Sequence, residues 1–191
     1  MKIGVLAAQG AFAEHITVLN RLDVEAVPVR LPEELNGVDG LIIPGGESTA
    51  VSRLIEAYGL GSIIKSMARD GMALFGTCTG MILMSTGISN NGVKSMGLMN
   101  IKVKRNAFGR QKESFETELS IPALGDELFP AVFIRAPIIE EAGNGVEVLT
   151  RLGDGTIVAA RQGKMLAAAF HPELTDDLRF HRYFLDIVKA K

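Results

Sequence analysis

Cysteine is almost absent from this sequence: Cys78 is the single one among 191 residues. One cysteine cannot form a disulfide within the chain, so nothing points to an oxidising compartment, and we expect a cytoplasmic protein. Long apolar runs are missing as well. The run at residues 3–8, IGVLAA, is too short for a signal-peptide core or a membrane span, and no later run is long enough. We therefore expect no membrane partner.

The sequence also lacks an excess of basic charge. It has 20 Lys and Arg against 22 Asp and Glu, which gives a formal net charge of -2. Nucleic acids usually select a basic surface, so we expect no nucleic-acid partner and instead a small, neutral or zwitterionic substrate. The chain is 47% hydrophobic and 22% charged and shows no repeat or linker. These properties predict a single domain over residues 1–191.

The first half of the sequence alternates short apolar runs with helical patterns. The runs that predict strands are residues 3–8, 24–31, 38–43 and 72–75. Apolar residues at helical spacing predict helices at 12–22, 48–55, 62–69 and 81–84, the second capped by Ser48 or Thr49. This alternation predicts an α/β fold of three layers, with a mostly parallel, mixed central sheet and helices on both faces. Ligands of such sheets bind at the carboxyl ends of the strands.

The second half has a different pattern, in which extended runs follow one another. They are residues 101–103, 115–121, 132–135, 146–152, 156–161 and 166–170. We expect these runs to join the same sheet as antiparallel or mixed strands. A last helix is predicted at residues 176–190, because Asp176 and Asp177 at its start and Lys189 and Lys191 at its end suit the helix dipole.

Residues 76–80, GTCTG, lie between an apolar strand and an apolar helix, with the spacing of a nucleophile elbow. A tight turn there would expose the side chain of Cys78, and glycines on both sides would let strand and helix pass closely. The N-terminus of the following helix would favour a thiolate. Cys78 could instead be an inert core thiol. Catalysis is favoured because an inert cysteine needs no glycine at both second neighbours.

His171 and Glu173 follow a buried run and also fall at a strand end. Pro172 biases His171 towards an extended backbone, in which residues two apart project to the same side, so Glu173 can orient the imidazole for a nucleophile. A structural histidine and a solvated carboxylate are the alternatives. Zinc is not expected, because His15 and His181 have no ligand spacing. Both lie on predicted amphipathic helices, where we expect surface or half-buried packing.

Residues 44–49, PGGEST, follow a third strand. A tight turn and a helix cap would explain the segment. It could also form an oxyanion hole, because glycine lets backbone N–H groups approach a developing negative charge. A phosphate site is disfavoured, since the segment lacks the lysine of a P-loop and no G-x-G-x-x-G follows the first strand.

With these three motifs in this order, the sequence resembles the class I (triad) glutamine amidotransferase family along nearly its whole length. More narrowly, it is similar to the glutaminase subunits of pyridoxal phosphate synthases. The segments that carry this narrower resemblance are Ala8-Gln9-Gly10 with Glu14-His15, residues 44–49, residues 105–111 (RNAFGRQ) and residues 133–137 (FIRAP).

The resemblance implies a Cys78–His171–Glu173 triad that hydrolyses L-glutamine and passes ammonia through a tunnel to a synthase subunit in a hetero-oligomer. It implies no cofactor and no metal. The residues that it assigns to the oxyanion hole and to glutamine binding are Gly46, Glu47, Ser48, Thr79, Arg105, Ile134 and Arg135. The segment from Gln9 to His15 would lie near the synthase. Thr79 departs from the alanine that we expect in this subfamily, which is harmless if only its backbone N–H is used.

The assignment of Arg105 to glutamine binding also has a chemical reason. A zwitterionic substrate needs a cation for its α-carboxylate, and arginine offers a planar one. The alternative for Arg105 is a solvated basic loop beside Lys102 and Lys104. Two other functions stay open. One is a glutaminase that serves another synthase, which residues 105–111 disfavour. The other is a catalytically silent regulatory or redox-sensing protein that keeps the elbow, which the His-Pro-Glu ending disfavours because a sensor needs no general base.

Overall fold

A computed structural model of the chain describes residues 1–89, 93–107 and 114–190. Within these ranges, the strands are β1 (Lys2–Leu6), β2 (Glu25–Val29), β3 (Gly40–Ile43), β4 (Ala73–Thr77), β5 (Ser85–Ile88), β6 (Met99–Lys104), β7 (Ser114–Leu119), β8 (Phe129–Ile134), β9 (Ile138–Ala142), β10 (Glu147–Arg151), β11 (Ile157–Gln162) and β12 (Met165–Ala168). The α-helices are α1 (Phe12–Arg21), α2 (Ser48–Ala57), α3 (Leu60–Arg69), α4 (Thr79–Met84) and α5 (Arg179–Lys189). Short 3₁₀ helices occur at Pro32–Leu35, Pro122–Leu124 and Pro172–Leu174.

Ten strands form one sheet in the order β2-β1-β3-β4-β12-β11-β9-β6-β5, with β10 beside β11. The first five strands of this order, β2, β1, β3, β4 and β12, are parallel to one another. β11 runs antiparallel to β12, β10 and β9, while β5 and β6 are parallel to each other. The predicted α/β class with a mixed, mostly parallel sheet is therefore confirmed.

Helices cover both faces of this sheet, because its central strands are apolar on both sides. Along β3, Ile42 packs in the core that includes residues of α1 and α5, whereas Leu41 and Ile43 pack in the core that includes residues of α2 and α3. Successive side chains of a strand point to opposite faces, so a continuous apolar run fills both cores. No helix in the described part of the chain is long and apolar enough to cross a membrane.

The second half departs from the expectation in two ways. β7 and β8 pair only with each other, in a separate two-stranded antiparallel sheet. Polar residues alternate along β7, so one face of this strand can stay in water and the strand does not need a place in the buried sheet. β5 and β9 were not predicted. β12 lies in the centre of the sheet, parallel to β4 and antiparallel to β11, a position that the sequence did not specify.

The ends of two helices were also predicted wrongly. Glu47, and not Ser48 or Thr49, caps α2, because its carboxylate accepts the backbone N–H groups of Thr49 at 3.0 Å and Ala50 at 2.7 Å. α5 begins at Arg179 rather than at residue 176. Of the two acidic residues before it, Asp177 accepts the backbone N–H of Arg179, the first residue of α5, whereas Asp176 pairs with Arg21 of α1.

A substitution at Gly80 would test how closely α4 packs against the sheet. A Cβ atom at this position would lie 1.9 Å from the carbonyl oxygen of Ile43, a backbone atom that cannot turn away. We expect Gly80→Ala to lower the free energy of unfolding by about 1–3 kcal/mol, because overpacking forces the helix away from β3. Gly153→Ala is the matched control, since nothing lies within 4 Å of its Cβ position. Urea unfolding should show the control within about 0.5 kcal/mol of the unmodified chain, and equal stability of the two variants would contradict the close packing.

Candidate active site

Three neighbouring parallel strands, β3, β4 and β12, end at the same edge of the sheet. In their registers, Ile43 pairs with Gly76, and Thr77 pairs with Ala168. The glycine turn follows β3, Cys78 follows β4, and His171 comes three residues after β12. The backbone N–H of Cys78 donates to the carbonyl of Ala168 at 2.8 Å. This pairing brings the three sequence motifs together.

Cys78 stands in the turn between β4 and α4 with φ 48° and ψ -101°. Positive φ is unfavourable for a residue with a side chain, so the surrounding structure must hold it. Both flanking glycines are required by close approach: a Cβ at Gly76 would lie 2.5 Å from the carbonyl carbon of Gly80. The geometry is that of a nucleophile elbow, and the thiol lines a pocket although it is 8% exposed.

His171 lies between the thiol and a carboxylate. Its Nδ1 is 2.7 Å from Oε1 of Glu173, and the imidazole also hydrogen-bonds to Cys78. Glu173 reaches the ring through the 3₁₀ turn at Pro172–Leu174, and not through the extended backbone that the sequence predicted. The glycine turn packs against the same pair, since a Cβ at Gly45 would lie 2.4 Å from Cε1 of His171 and 3.3 Å from Cβ of Cys78.

The electrostatics favour a charged pair at His171 and Glu173. Burial lowers the pKa of His171, but hydrogen bonds to Cys78 and Glu173 outweigh burial and raise this pKa to about 10. Burial raises the pKa of Glu173, but the imidazoles of His15 and His171 outweigh it and hold this pKa below its ordinary value. An imidazolium is therefore stable next to this carboxylate at neutral pH.

The pocket in front of Cys78 and His171 has a volume of about 260 Å³. Every residue that the sequence assigned to the oxyanion hole or to glutamine binding lines it: Gly46, Glu47, Ser48, Thr79, Arg105, Ile134 and Arg135. Glu173 does not line it and lies behind His171. The sequence assigned no pocket role to further lining residues, which are Gly10, Ala11, Gly45, Ile82 and Asn106.

Several lining residues are held in place by contacts of their own. Glu47 is fixed as the cap of α2, and its backbone N–H partners, ahead of the nearby Arg105, keep its pKa below the ordinary value. The Thr79 hydroxyl donates to the carbonyl of Gly46 at 2.5 Å, so this side chain, and not only its backbone, contacts the glycine turn. Arg135 has a positive φ of 43°, an unfavourable conformation at the end of β8.

Strained backbone is concentrated at this pocket. Four non-glycine residues in the described part of the chain have positive φ, and three of them, Cys78, Asn106 and Arg135, line the pocket. Strain of this kind persists where function requires a particular side-chain position. Asn106 belongs to the segment at 105–111, of which residues 108–111 lie outside the described residues.

His15 and His181 were predicted wrongly, because both are fully buried behind the triad. Nδ1 of His15 lies 2.9 Å from Nε2 of His181, and Nε2 of His15 lies 3.3 Å from Oε2 of Glu173. Helical spacing contained the signal: His15 is three residues after Phe12 and four before Leu19, on the apolar stripe of α1. The described residues contain no group of three or more His, Cys, Asp or Glu arranged to hold a metal ion.

Comparison with known proteins gives one family. A protein named pyridoxal 5'-phosphate synthase subunit PdxT from Dehalococcoides mccartyi is 54% identical over 192 aligned residues, which cover 100% of this chain and 98% of that protein. A protein of the same name from Pelotomaculum thermopropionicum is 58% identical over 97% of this chain and 94% of its own length. A crystal structure of a glutamine amidotransferase, 49% identical, superposes with a TM-score of 0.93 and covers 98% of this chain and 99% of its own.

The model of the SNO glutamine amidotransferase family matches residues 5–190. This match extends from β1 through α5 and includes the three strand ends at which the pocket lies. The resemblance predicted from the three motifs is therefore confirmed, and the chain belongs to the SNO glutamine amidotransferase family.

Proposed function

We propose that this chain is the glutaminase subunit of a pyridoxal 5'-phosphate synthase and hydrolyses L-glutamine to glutamate and ammonia. The observation that carries the proposal is the strained Cys78 elbow, whose thiol hydrogen-bonds to an imidazole that Glu173 orients. A pocket that contains this thiol and two arginines suits a zwitterionic amino acid with a reactive amide. The choice of synthase is supported by the relatives that are more than 50% identical to this chain, because they are named pyridoxal 5'-phosphate synthase subunit PdxT.

In the proposed reaction, His171 takes the thiol proton before glutamine reacts, in keeping with its raised pKa, and the resulting Cys78 thiolate attacks the side-chain amide carbon of glutamine. The C–N bond breaks as the imidazolium gives its proton to the leaving nitrogen, which departs as ammonia. A glutamyl thioester is left on Cys78. Water, deprotonated by His171, attacks the thioester, and the C–S bond breaks to release glutamate. Glu173 keeps the imidazole oriented and stabilises its charged form throughout.

The other residues of the pocket would bind and stabilise. Backbone N–H groups of Gly46 and Thr79 would donate to the oxyanion of the tetrahedral intermediate. Arg105 and Arg135 would pair with the α-carboxylate, for which a planar guanidinium is well shaped. The remaining polar and apolar contacts to glutamine would come from Glu47, Ser48 and Ile134.

Ammonia that leaves the pocket is lost to solvent unless a partner takes it up. We therefore propose that the chain works in a hetero-oligomer with the synthase subunit, to which ammonia passes through a protein tunnel. Residues 9–15 would lie near this partner, and Gly10 and Ala11 already line the pocket. We further propose that residues 1–191 act as one domain in the cytoplasm, with no metal or cofactor in the glutaminase step.

Covalent labelling tests the nucleophile. A diazoketone analogue of glutamine should give a single adduct, which peptide mass spectrometry should locate on Cys78. Cys78→Ala should give no adduct and no glutamine hydrolysis, and His171→Ala should lose hydrolysis by about 100-fold or more, because proton transfer by a positioned base contributes on that order. Circular dichroism of both variants serves as the folding control. Adducts at another residue, or undiminished hydrolysis in Cys78→Ala, would refute the mechanism.

The raised pKa of His171 predicts a pH dependence of stability. Because the folded-state pKa of about 10 exceeds the unfolded value near 6.5, the imidazolium stabilises the fold fully below about pH 6.5. This contribution is lost as the pH rises through about 10. In calorimetry, the Tm advantage of the unmodified chain over His171→Gln should therefore shrink from about pH 7 to about pH 10.

Cys78→Ala is the control for the cause of this shift. This variant lacks one of the hydrogen bonds that raise the pKa of His171. The Tm difference between Cys78→Ala and the double variant Cys78→Ala/His171→Gln should therefore disappear at a lower pH than the difference measured in the unmodified chain. A Tm advantage that does not change with pH would contradict the charged pair.

Coupling to the partner predicts a rate effect. Hydrolysis by the isolated chain, measured as ammonia release from glutamine, should be slow and should rise strongly when the synthase subunit is added. Adding the synthase to Cys78→Ala should give no ammonia, which separates channelled hydrolysis from any activity of the synthase itself. Full activity of the isolated chain would contradict the coupling.

A further inference from the structure

A chain of buried polar side chains runs behind the triad and takes no part in the reaction as described. It consists of His15 on α1, Thr77 at the end of β4 and His181 on α5, all fully buried. Nε2 of His15 lies 3.3 Å from Oε2 of Glu173 and 3.2 Å from Oγ1 of Thr77. Nδ1 of His15 lies 2.9 Å from Nε2 of His181. One imidazole thus contacts three other elements of the fold.

The two oxygens of Glu173 face different histidines. Oε1 is 2.7 Å from Nδ1 of His171, and Oε2 faces His15. Oε2 is buried and has no hydrogen-bond partner within the described residues, and its contact with Nε2 of His15 at 3.3 Å is at ion-pair distance. An unpaired carboxylate oxygen in such a place is costly, and it would also leave the carboxylate free to turn about its terminal bond.

The proton on His15 can be placed from its neighbours. Burial lowers the pKa of His15, partly offset by Glu173, so the imidazole is neutral at neutral pH and carries a single proton. A lone pair on Nε2 would face the negative Oε2 of Glu173, so the proton belongs on Nε2. Nδ1 then accepts a hydrogen bond from Nε2–H of His181, whose pKa burial also lowers.

The same Nε2 is linked to the other two parts of the pocket. Oγ1 of Thr77, next to Cys78, accepts the backbone N–H of Gly45 at 3.1 Å. The carbonyl of Gly45 in turn accepts the backbone N–H of Ala11, just before α1, at 3.3 Å. α1 therefore contacts the glycine turn through its backbone, and the elbow strand and the triad carboxylate through His15.

We propose that His15 is a positioning residue for the glutaminase reaction: its Nε2–H holds Oε2 of Glu173, so that Oε1 stays aligned with His171, and His181 fixes the orientation of the His15 ring. This role rests on the proposed function, because it concerns the same triad. His15 does not line the substrate pocket and touches no reacting atom. Its loss should therefore affect the rate of reaction more than the binding of glutamine.

The titratable groups around Glu173, His171 and His15 come from three sides. His171 and Cys78 lie towards the pocket, His15 and Glu14 lie on α1, and His181 lies on α5 behind His15. Without the Nε2–H group beside Oε2, Glu173 loses one of the two imidazoles that lower its pKa, so its protonation should occur at higher pH. This would move the acid limb of the pH profile of kcat/KM upward, which a purely structural role of His15 would not do.

The test measures glutamine hydrolysis by the complex with the synthase subunit. His15→Leu removes the donor at similar size, and we expect kcat to fall about tenfold, KM for glutamine to change less than about twofold and the acid limb to rise by about one pH unit. His15→Gln can present an amide N–H near the position of Nε2, so it should restore most of kcat and return the acid limb. His181→Leu should give a smaller loss of about two- to threefold.

Val18→Ala is the matched control, since Val18 is buried on the same helix but has no polar role. It should lower the Tm without moving the acid limb. The proposal is overturned if His15→Leu shows the pH profile and kcat of the control or, where that variant does not fold, if His181→Leu shows them. Failure of the proposed function is a separate outcome: it requires that the unmodified complex releases no ammonia, or that Cys78→Ala still does.

Discussion

Parallel pairing between β4 and β12 is the interaction on which the site depends. Two backbone segments from opposite halves of the chain are joined there, and the N–H of Cys78 donates to the carbonyl of Ala168 at 2.8 Å. This register sets the height of His171 relative to the thiol. The backbone N–H of His171 donates to Val132 of β8, so the separate two-stranded sheet also holds the imidazole and delivers Ile134 and Arg135 to the pocket.

Close packing around this pairing explains why glycine occurs where it does. Gly45, Gly76 and Gly80 each lie where a Cβ would meet other atoms at 2.5 Å or less. Because these three residues have no side chain, the glycine turn, the elbow and α4 can contact one another. Cys78 is then held in an unfavourable conformation by its surroundings, which directs the thiol towards the pocket instead of into the core.

Buried polarity is the second physical theme of the structure. Glu173 carries a charge in a place where burial opposes ionisation, and imidazoles on both of its oxygens compensate. A cluster of this kind is useful only when every partner is in place, because an incomplete one costs more than an apolar core. The fold brings the histidines to this carboxylate by placing α1 and α5 on the same face of the sheet, with His15 and His181 between them.

The sequence by itself determined the α/β class, most of the elements in the first half and all three motifs of the pocket, because these depend on local periodicity and on glycine, proline and cysteine at short spacing. It could not determine that β7 and β8 leave the main sheet or that β12 lies beside β4, since strand pairing joins residues far apart in the chain. It also misjudged His15 and His181, although both lie on apolar stripes. A polar residue on such a stripe can be exposed at its edge or buried against a polar partner. Only the tertiary structure, which places Glu173 against α1, decided that His15 is buried.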